Sequence, residues 1–324
     1  MSRRRKRIVR ALRVPFEWLG IGLGVAVLSS LPRRAMLAVC DFVGAAMYAF
    51  DRRGRRIAAA NLGTILSTVP GARLSEKAAR AIVRRSYRNM ARAVGHAFWT
   101  CRLARERAAE AGELSPACRD FLAANRPAVT VSGHIGCWEI LSQLAFLSGH
   151  RMMSVAKGIG TKGMTALLMR ARRSIGQEIV PAEGAFRPLM GGIRDGKSLG
   201  LLVDQAVRPS DGGVWVRFFG RPHPVSAAPA FFAAKGGAPI AVAWSRPLRD
   251  GRYRCEMIAT YSPAEARDVW GVTQKCLSDL ERVIRRHPSC WALNYNCFRK
   301  TPTPEEFAQL EERERKARAK EGSR

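Results

Sequence analysis

Residues 131–140 read VSGHIGCWEI, and this stretch decides the fold. The run 127–131 just before it is apolar and strand-like, and an apolar helix is expected over 140–146. His134 is therefore expected in a strand-to-helix turn, where side chains of an open α/β sheet meet ligands. A neutral hydroxyl is a poor nucleophile and needs a base beside it. Histidine is mostly neutral yet basic near pH 7. A carboxylate can fix the ring tautomer and stabilise the imidazolium that forms. Glu139 stands five positions after His134, which is not the three or four of a helical pair. It is expected to reach back from the first turn of the helix. His134 and Glu139 are thus candidate catalytic residues. Alone, such a pattern also fits a satisfied structural pair, so the rest of the chain must decide.

Working outward, strand and helix patterns alternate. Strands are expected over 128–132, 151–156, 177–180, 199–203, 239–244 and 253–258. Helices are expected over 140–146, 165–174, 186–194, 227–235 and 263–286. This alternation predicts an α/β sheet flanked by helices. Residues 74–110, rich in Ala, Arg and Leu, read as one or two long helices. The expected division is a basic and apolar segment (1–50), a helical region (51–125), an α/β core (126–301) and a charged tail (302–324), read as a frayed helix, to which no function is given. Asp204, like His134, lies just past an expected strand.

Of 324 residues, 47% are hydrophobic, ample for a packed core, and 55 Lys and Arg against 26 acids give a formal charge of +29. Such a chain is drawn to polyanions. No zinc-finger or RNA-recognition signature is present, so nucleic acid is not the expected partner. The eight cysteines form no C-x-x-C pair, which argues against a zinc ribbon and fits reduced thiols. No metal site is expected. Cys137, three residues from His134, suggests a rival reading as a thiol nucleophile.

Arginines at 3–5, 7, 33–34, 52–53 and 55–56 bracket two apolar stretches, 18–31 and 35–50. Each is shorter than the roughly 20 residues a spanning helix prefers. A helix lying in the cytoplasmic membrane interface, or a shallow hairpin, is expected, with two buried core helices as the alternative.

Residues 200–240, GLLVDQAVRPSDGGVWVRFFGRPHPVSAAPAFFAAKGGAPI, extend the pattern. With the His-x4-Glu run, Ala60-Asn61-Leu62, Asp204-Gln205, Val216 to Gly220, Gly237-Ala238-Pro239, Trp291 and Arg299-Lys300, the chain resembles the lipid A biosynthesis acyltransferases. These lauroyl and myristoyl transferases belong to the lysophospholipid acyltransferase superfamily. Residues 224–228 and 294–300 depart from the usual pattern, which puts the exact acceptor in question. Glu183-Gly184 with Arg187 is read as a helix start.

The resemblance implies a glycerol-3-phosphate-acyltransferase-like sheet flanked by helices, with a membrane-associated N-terminal segment, on the cytoplasmic side of the cell inner membrane. It implies transfer of an acyl chain from acyl carrier protein to a hydroxyl of a lipid A precursor, without a cofactor. His134 would be the base and Glu139 its partner, with backbone N–H groups near Gly136 or a basic side chain for the oxyanion. Asp204 and Gln205 would support the site. Lys157, Arg170, Arg173 and Arg217 would bind the acceptor's phosphates. The alternatives are an acceptor such as a phosphatidylinositol mannoside or lysophospholipid with acyl-CoA as donor, and a non-enzymatic protein docking anionic lipid.

Overall fold

In the computed structural model, which describes residues 22–100, 103–156 and 162–322, a seven-stranded sheet forms the centre. The helices before it are α1 (22–30), α2 (Arg33–Phe50), α3 (Arg52–Ser67), α4 (Glu76–Trp99) and α5 (Ala104–Ala111). Then follow β1 (Gly112–Leu114), α6 (Pro116–Ala124), β2 (Val129–Ser132), α7 (Trp138–Leu147), β3 (Met152–Ala156) and α8 (Lys162–Ser174). Next come β4 (Glu178–Pro181), α9 (Phe186–Arg194), β5 (Ser198–Leu202), β6 (Gly213–Phe218) and β7 (Arg221–Ser226). The described chain closes with α10 (Ala228–Gly236), β8 (Ile240–Pro247), β9 (Tyr253–Tyr261), α11 (Val269–Arg286) and α12 (Pro304–Gly322).

The order across the sheet is β1-β9-β8-β2-β5-β3-β4. From β8 to β4 every pairing is parallel, and β9 runs antiparallel to β8. The β-branched VTVS strand β2 occupies the middle, bonded to β5 on one side and β8 on the other. Residues along β8 alternate between two cores, as the two-residue period requires. Val242 and Trp244 pack with Phe232, Leu277 and Leu280 of α10 and α11. Ala243 packs with Ile140 and Leu144 of α7, backed by α2 and α4. Side-chain caps fix several helix starts: Ser75 accepts from Ala78 N at 3.2 Å and Asp268 from Gly271 N at 3.0 Å.

The expected α/β sheet flanked by helices is what is observed. Three expectations need correction. First, among the described residues no helix is long and apolar enough to cross a membrane, which overturns an integral placement in the inner membrane. The second apolar stretch forms α2, which buries Met36, Leu37 and Cys40 against α4 and ties Asp41 to Arg92 through two 2.6 Å contacts. The buried-helix alternative therefore describes that face of α2. Of the first stretch, 18–31, residues 22–30 form α1 and 18–21 lie outside the described residues. Second, the tail is the ordered helix α12, anchored by buried Leu310 and by Glu314, which takes two bonds from Arg217 of β6. Third, residues 213–226 form a hairpin that the helix-and-strand reading missed. Its two-residue loop, Phe219-Gly220, has both φ angles positive (49° and 71°), the conformation that matches strand twist.

Candidate active site

His134 and Asp204 each follow their strand by two residues, beyond paired Ser132 and Leu202. Adjacent parallel strands thus deliver both side chains to one end of the sheet. The Nδ1 of His134 lies 2.8 Å from Oδ1 of Asp204, and the His134 backbone N–H donates to Oδ2 at 2.8 Å. Trp291 supplies a third bond, from Nε1 to Oδ2, also at 2.8 Å. Asp204 is buried. Burial alone would raise its pKa, but the His134 charge and these hydrogen bonds outweigh it and hold the carboxyl below its ordinary value.

An ionised Asp204 needs a proton on Nδ1 of His134, which leaves the lone pair on Nε2. The side-chain amide of Gln205 lies 3.3 Å from that nitrogen. Trp138 packs edge-on against the ring, with centroids 5.0 Å apart. A base held by a buried carboxylate, with a polar amide beside its free nitrogen, can take a proton from a hydroxyl.

The turn carrying His134 is stitched down on two sides. Ile135 bridges to Trp291 and Gly136 to Ser245 of β8. The Gly136 N–H donates to Cys290 O at 2.8 Å, and the Cys137 N–H to Ser245 Oγ at 2.7 Å. Both of these turn amides are therefore engaged. Gly136 has φ of 65°, and a Cβ there would lie 1.8 Å from Ser245 O. No larger residue fits without moving β8. Trp291 is fixed in turn: Ser86 donates to its carbonyl at 2.6 Å, and the Asn61 amide bonds the carbonyls of Leu293 and Tyr295 at 2.8 and 2.7 Å.

Glu139 is placed otherwise than expected. It sits in the first turn of α7, buried, with Arg172 of α8 bonding both carboxylate oxygens at 3.0 and 2.5 Å. Trp138 Nε1 donates to it at 3.0 Å. Trp138 thus stands between Glu139 and His134, and Asp204 takes the position at Nδ1. Cys137 is fully buried, its Sγ directed at the Ala93 carbonyl at 3.8 Å, and burial pushes its thiol pKa far up. Both features argue against the thiol nucleophile, because the reactive form is the thiolate.

Among the proposed phosphate ligands, Arg170 and Arg173 are exposed on α8, the helix that also carries Arg172. Arg217 is not free, being held by Glu314, and Lys157 lies outside the described residues. Sequence reasoning gave no role to Trp291, Asn61 and Ser86, and missed Arg172. The signal for Arg172 was Glu139 itself, since a carboxylate in an apolar helix start needs a cation.

Comparison with known proteins adds an independent line. The chain matches the family described as "Bacterial lipid A biosynthesis acyltransferase" over residues 3–300. Two curated relatives are the phosphatidylinositol mannoside acyltransferases of Mycobacterium tuberculosis strains CDC 1551 / Oshkosh and ATCC 25618 / H37Rv. Each is 25% identical over 174 residues, covering 52% of this chain and 54% of the relative. The match thus spans about half the length of those relatives. Among solved structures, the 1-acyl-sn-glycerophosphate acyltransferase of Thermotoga maritima covers 76% of this chain and 98% of its own, at 14% identity and a TM-score of 0.33.

Proposed function

Because the chain belongs to the bacterial lipid A biosynthesis acyltransferase family, we propose that it moves a fatty acyl chain from an acyl carrier protein thioester to a hydroxyl of a lipid A precursor. The observation that carries this reading is the 2.8 Å bond between His134 Nδ1 and buried Asp204, which leaves Nε2 as the base. Nε2 takes the hydroxyl proton as the oxygen attacks the thioester carbonyl. The tetrahedral centre then collapses, the C–S bond breaks, and the imidazolium returns its proton to the leaving sulfur. Asp204 stabilises the imidazolium in between. A thioester is already activated, so no enzyme nucleophile is needed. Gln205 supplies an amide donor beside the reacting atoms, and the Glu139–Arg172 pair holds α7 and α8 together around them.

The names of the mycobacterial relatives favour a second reading, acyl transfer to a phosphatidylinositol mannoside. Donor and acceptor are tested together. Purified protein is given matched acyl chains on acyl carrier protein and on coenzyme A, with a lipid A precursor or a phosphatidylinositol mannoside. An acidic carrier protein is steered by a chain of charge +29. Its advantage should shrink with salt, as the Debye length falls from about 10 Å at 0.1 M to about 3 Å at 1 M. Preference for coenzyme A with equal salt slopes would reject the carrier-protein reading, and turnover only on the mannosylated lipid would select the second acceptor.

A further inference from the structure

The strap that follows Trp291 carries basic and aromatic side chains to which the reaction above assigns no task. Tyr295 lies beside the active site, its hydroxyl accepting the Ala206 backbone N–H at 3.3 Å, and Ala206 directly follows Gln205. The Arg299 guanidinium stands over the Tyr295 ring, 5.8 Å from its centroid. One residue beyond buried Cys297 is Phe298, and the Arg221 guanidinium stands 4.8 Å from the centroid of its ring. Phe298 itself packs on His223, whose Nε2 meets the Asp204 carbonyl at 3.3 Å. Both arginines are thus reached from the His134–Asp204 pair through one or two side chains.

Both guanidinium groups are exposed, and among the described residues neither has a carboxylate partner. This sets them apart from Arg172 and Arg217, which are held by Glu139 and Glu314. An aromatic face under a guanidinium fixes the long side chain while leaving its N–H edge free to bond a planar or tetrahedral anion. The base of the strap is rigid, because Asn61 and Ser86 clamp its carbonyls.

We propose that Arg299 and Arg221, seated on Tyr295 and Phe298, form a phosphate-binding shelf. It holds the charged end of a substrate while the reacting atom lies at His134 Nε2. This rests on the acyl-transfer reading, in which either substrate can bring phosphate: the acceptor through its headgroup, the donor through its phosphopantetheine arm. Bidentate guanidinium–phosphate contacts give both grip and orientation.

The test measures binding to the full chain without turnover, so it stands apart from the catalytic reading. Glycerol 1-phosphate represents the acceptor and phosphopantetheine the donor, with glycerol and pantetheine as phosphate-free controls. Calorimetric titration of the wild type should show saturable binding of at least one phosphate probe and none of its control. Arg299→Gln and Arg221→Gln should each weaken that probe about tenfold, the loss of one charge-assisted contact. Arg299→Lys should fall between, and Arg80→Gln, at an exposed arginine near the start of α4, should change nothing. Circular dichroism checks that each variant is folded. Weakening of glycerol 1-phosphate assigns the shelf to the acceptor, and weakening of phosphopantetheine assigns it to the donor. Phosphate binding that is unsaturable, or equal in the wild type and the Arg299→Gln/Arg221→Gln double variant, overturns the proposal. Phosphate binding intact in a protein that transfers no acyl group would instead remove the catalytic reading and leave the shelf standing.

Discussion

Ser132 and Leu202 are partners across β2 and β5, and two residues beyond them His134 and Asp204 meet at 2.8 Å. The register of one strand pair therefore sets the geometry of the base. A slip of one residue would turn both side chains to opposite faces. Asp204→Asn keeps an oxygen for the His134 N–H and Trp291, but presents an amide to Nδ1 and favours the wrong ring tautomer. It should fold and lose about 10²–10⁴-fold in kcat, as should His134→Ala. Acyl transfer by either variant within a few-fold of wild type would remove the pair from catalysis.

Glu139 and Arg172 make a different forecast. Breaking a buried ion pair by removing one partner costs about 3–5 kcal/mol. Glu139→Gln should therefore lower the urea midpoint sharply, and adding Arg172→Met should restore part of it. At a temperature where both variants are folded, Glu139→Gln should cost less in kcat than Asp204→Asn. The reverse order would place Glu139 in the reaction itself.

Cys137→Ser should retain most activity, because the thiol is buried and its pKa is raised. Mass spectrometry of the protein during turnover should find no acyl group on Cys137. A trapped thioester there would replace the one-step transfer with a two-step one.

Gly136→Ala and Gly220→Ala make an informative pair. Both positions have positive φ, 65° and 71°, so both carry the left-handed penalty of about 1–2 kcal/mol. Only at 136 would the methyl also strike Ser245 O, whereas at 220 nothing lies within 4 Å. Gly136→Ala should be the less stable of the two in thermal melts and should lose activity. Equal melting temperatures would show that the turn can retreat from β8.

Acid should weaken the fold well above the carboxylate range. Burial lowers the pKa of both His96 and His223 from 6.5 to about 4. The unfolded chain therefore takes up these two protons first. Their effect is absent above about pH 6.5, and stability falls as pH drops from there toward 4. The slope is up to about 1.4 kcal/mol per pH unit for each histidine. Urea midpoints between pH 4.5 and 7.5 measure it, and a flat profile would mean that both rings take up protons in the folded chain as readily as in the unfolded one.

The sheet was legible because its strands are short apolar runs between turn residues, and the ends of β2 and β5 announced where chemistry would sit. The partner of His134 was less legible. Glu139 is near in sequence, but the helix that begins at Trp138 turns its carboxylate toward Arg172, and only the pairing of β2 with β5 brings Asp204 close. Trp291 and Asn61 stood out as motif residues, yet their tasks depend on a strap folding back across the chain, which no local pattern encodes. The hairpin at Phe219-Gly220 had a readable two-residue turn, obscured by a buried phenylalanine at positive φ.

Trp291 has one more consequence, in time. A ribosome delivers the chain from its first residue onward. His134 and Asp204 emerge long before the indole that completes the carboxylate's bonds and the carbonyl of Cys290 that anchors Gly136. Until then the acid lacks one of its three donors and the turn lacks an anchor. A nascent chain halted short of residue 290 should thus be catalytically silent although its base and acid have both been made, so that activity waits on two residues made far behind them.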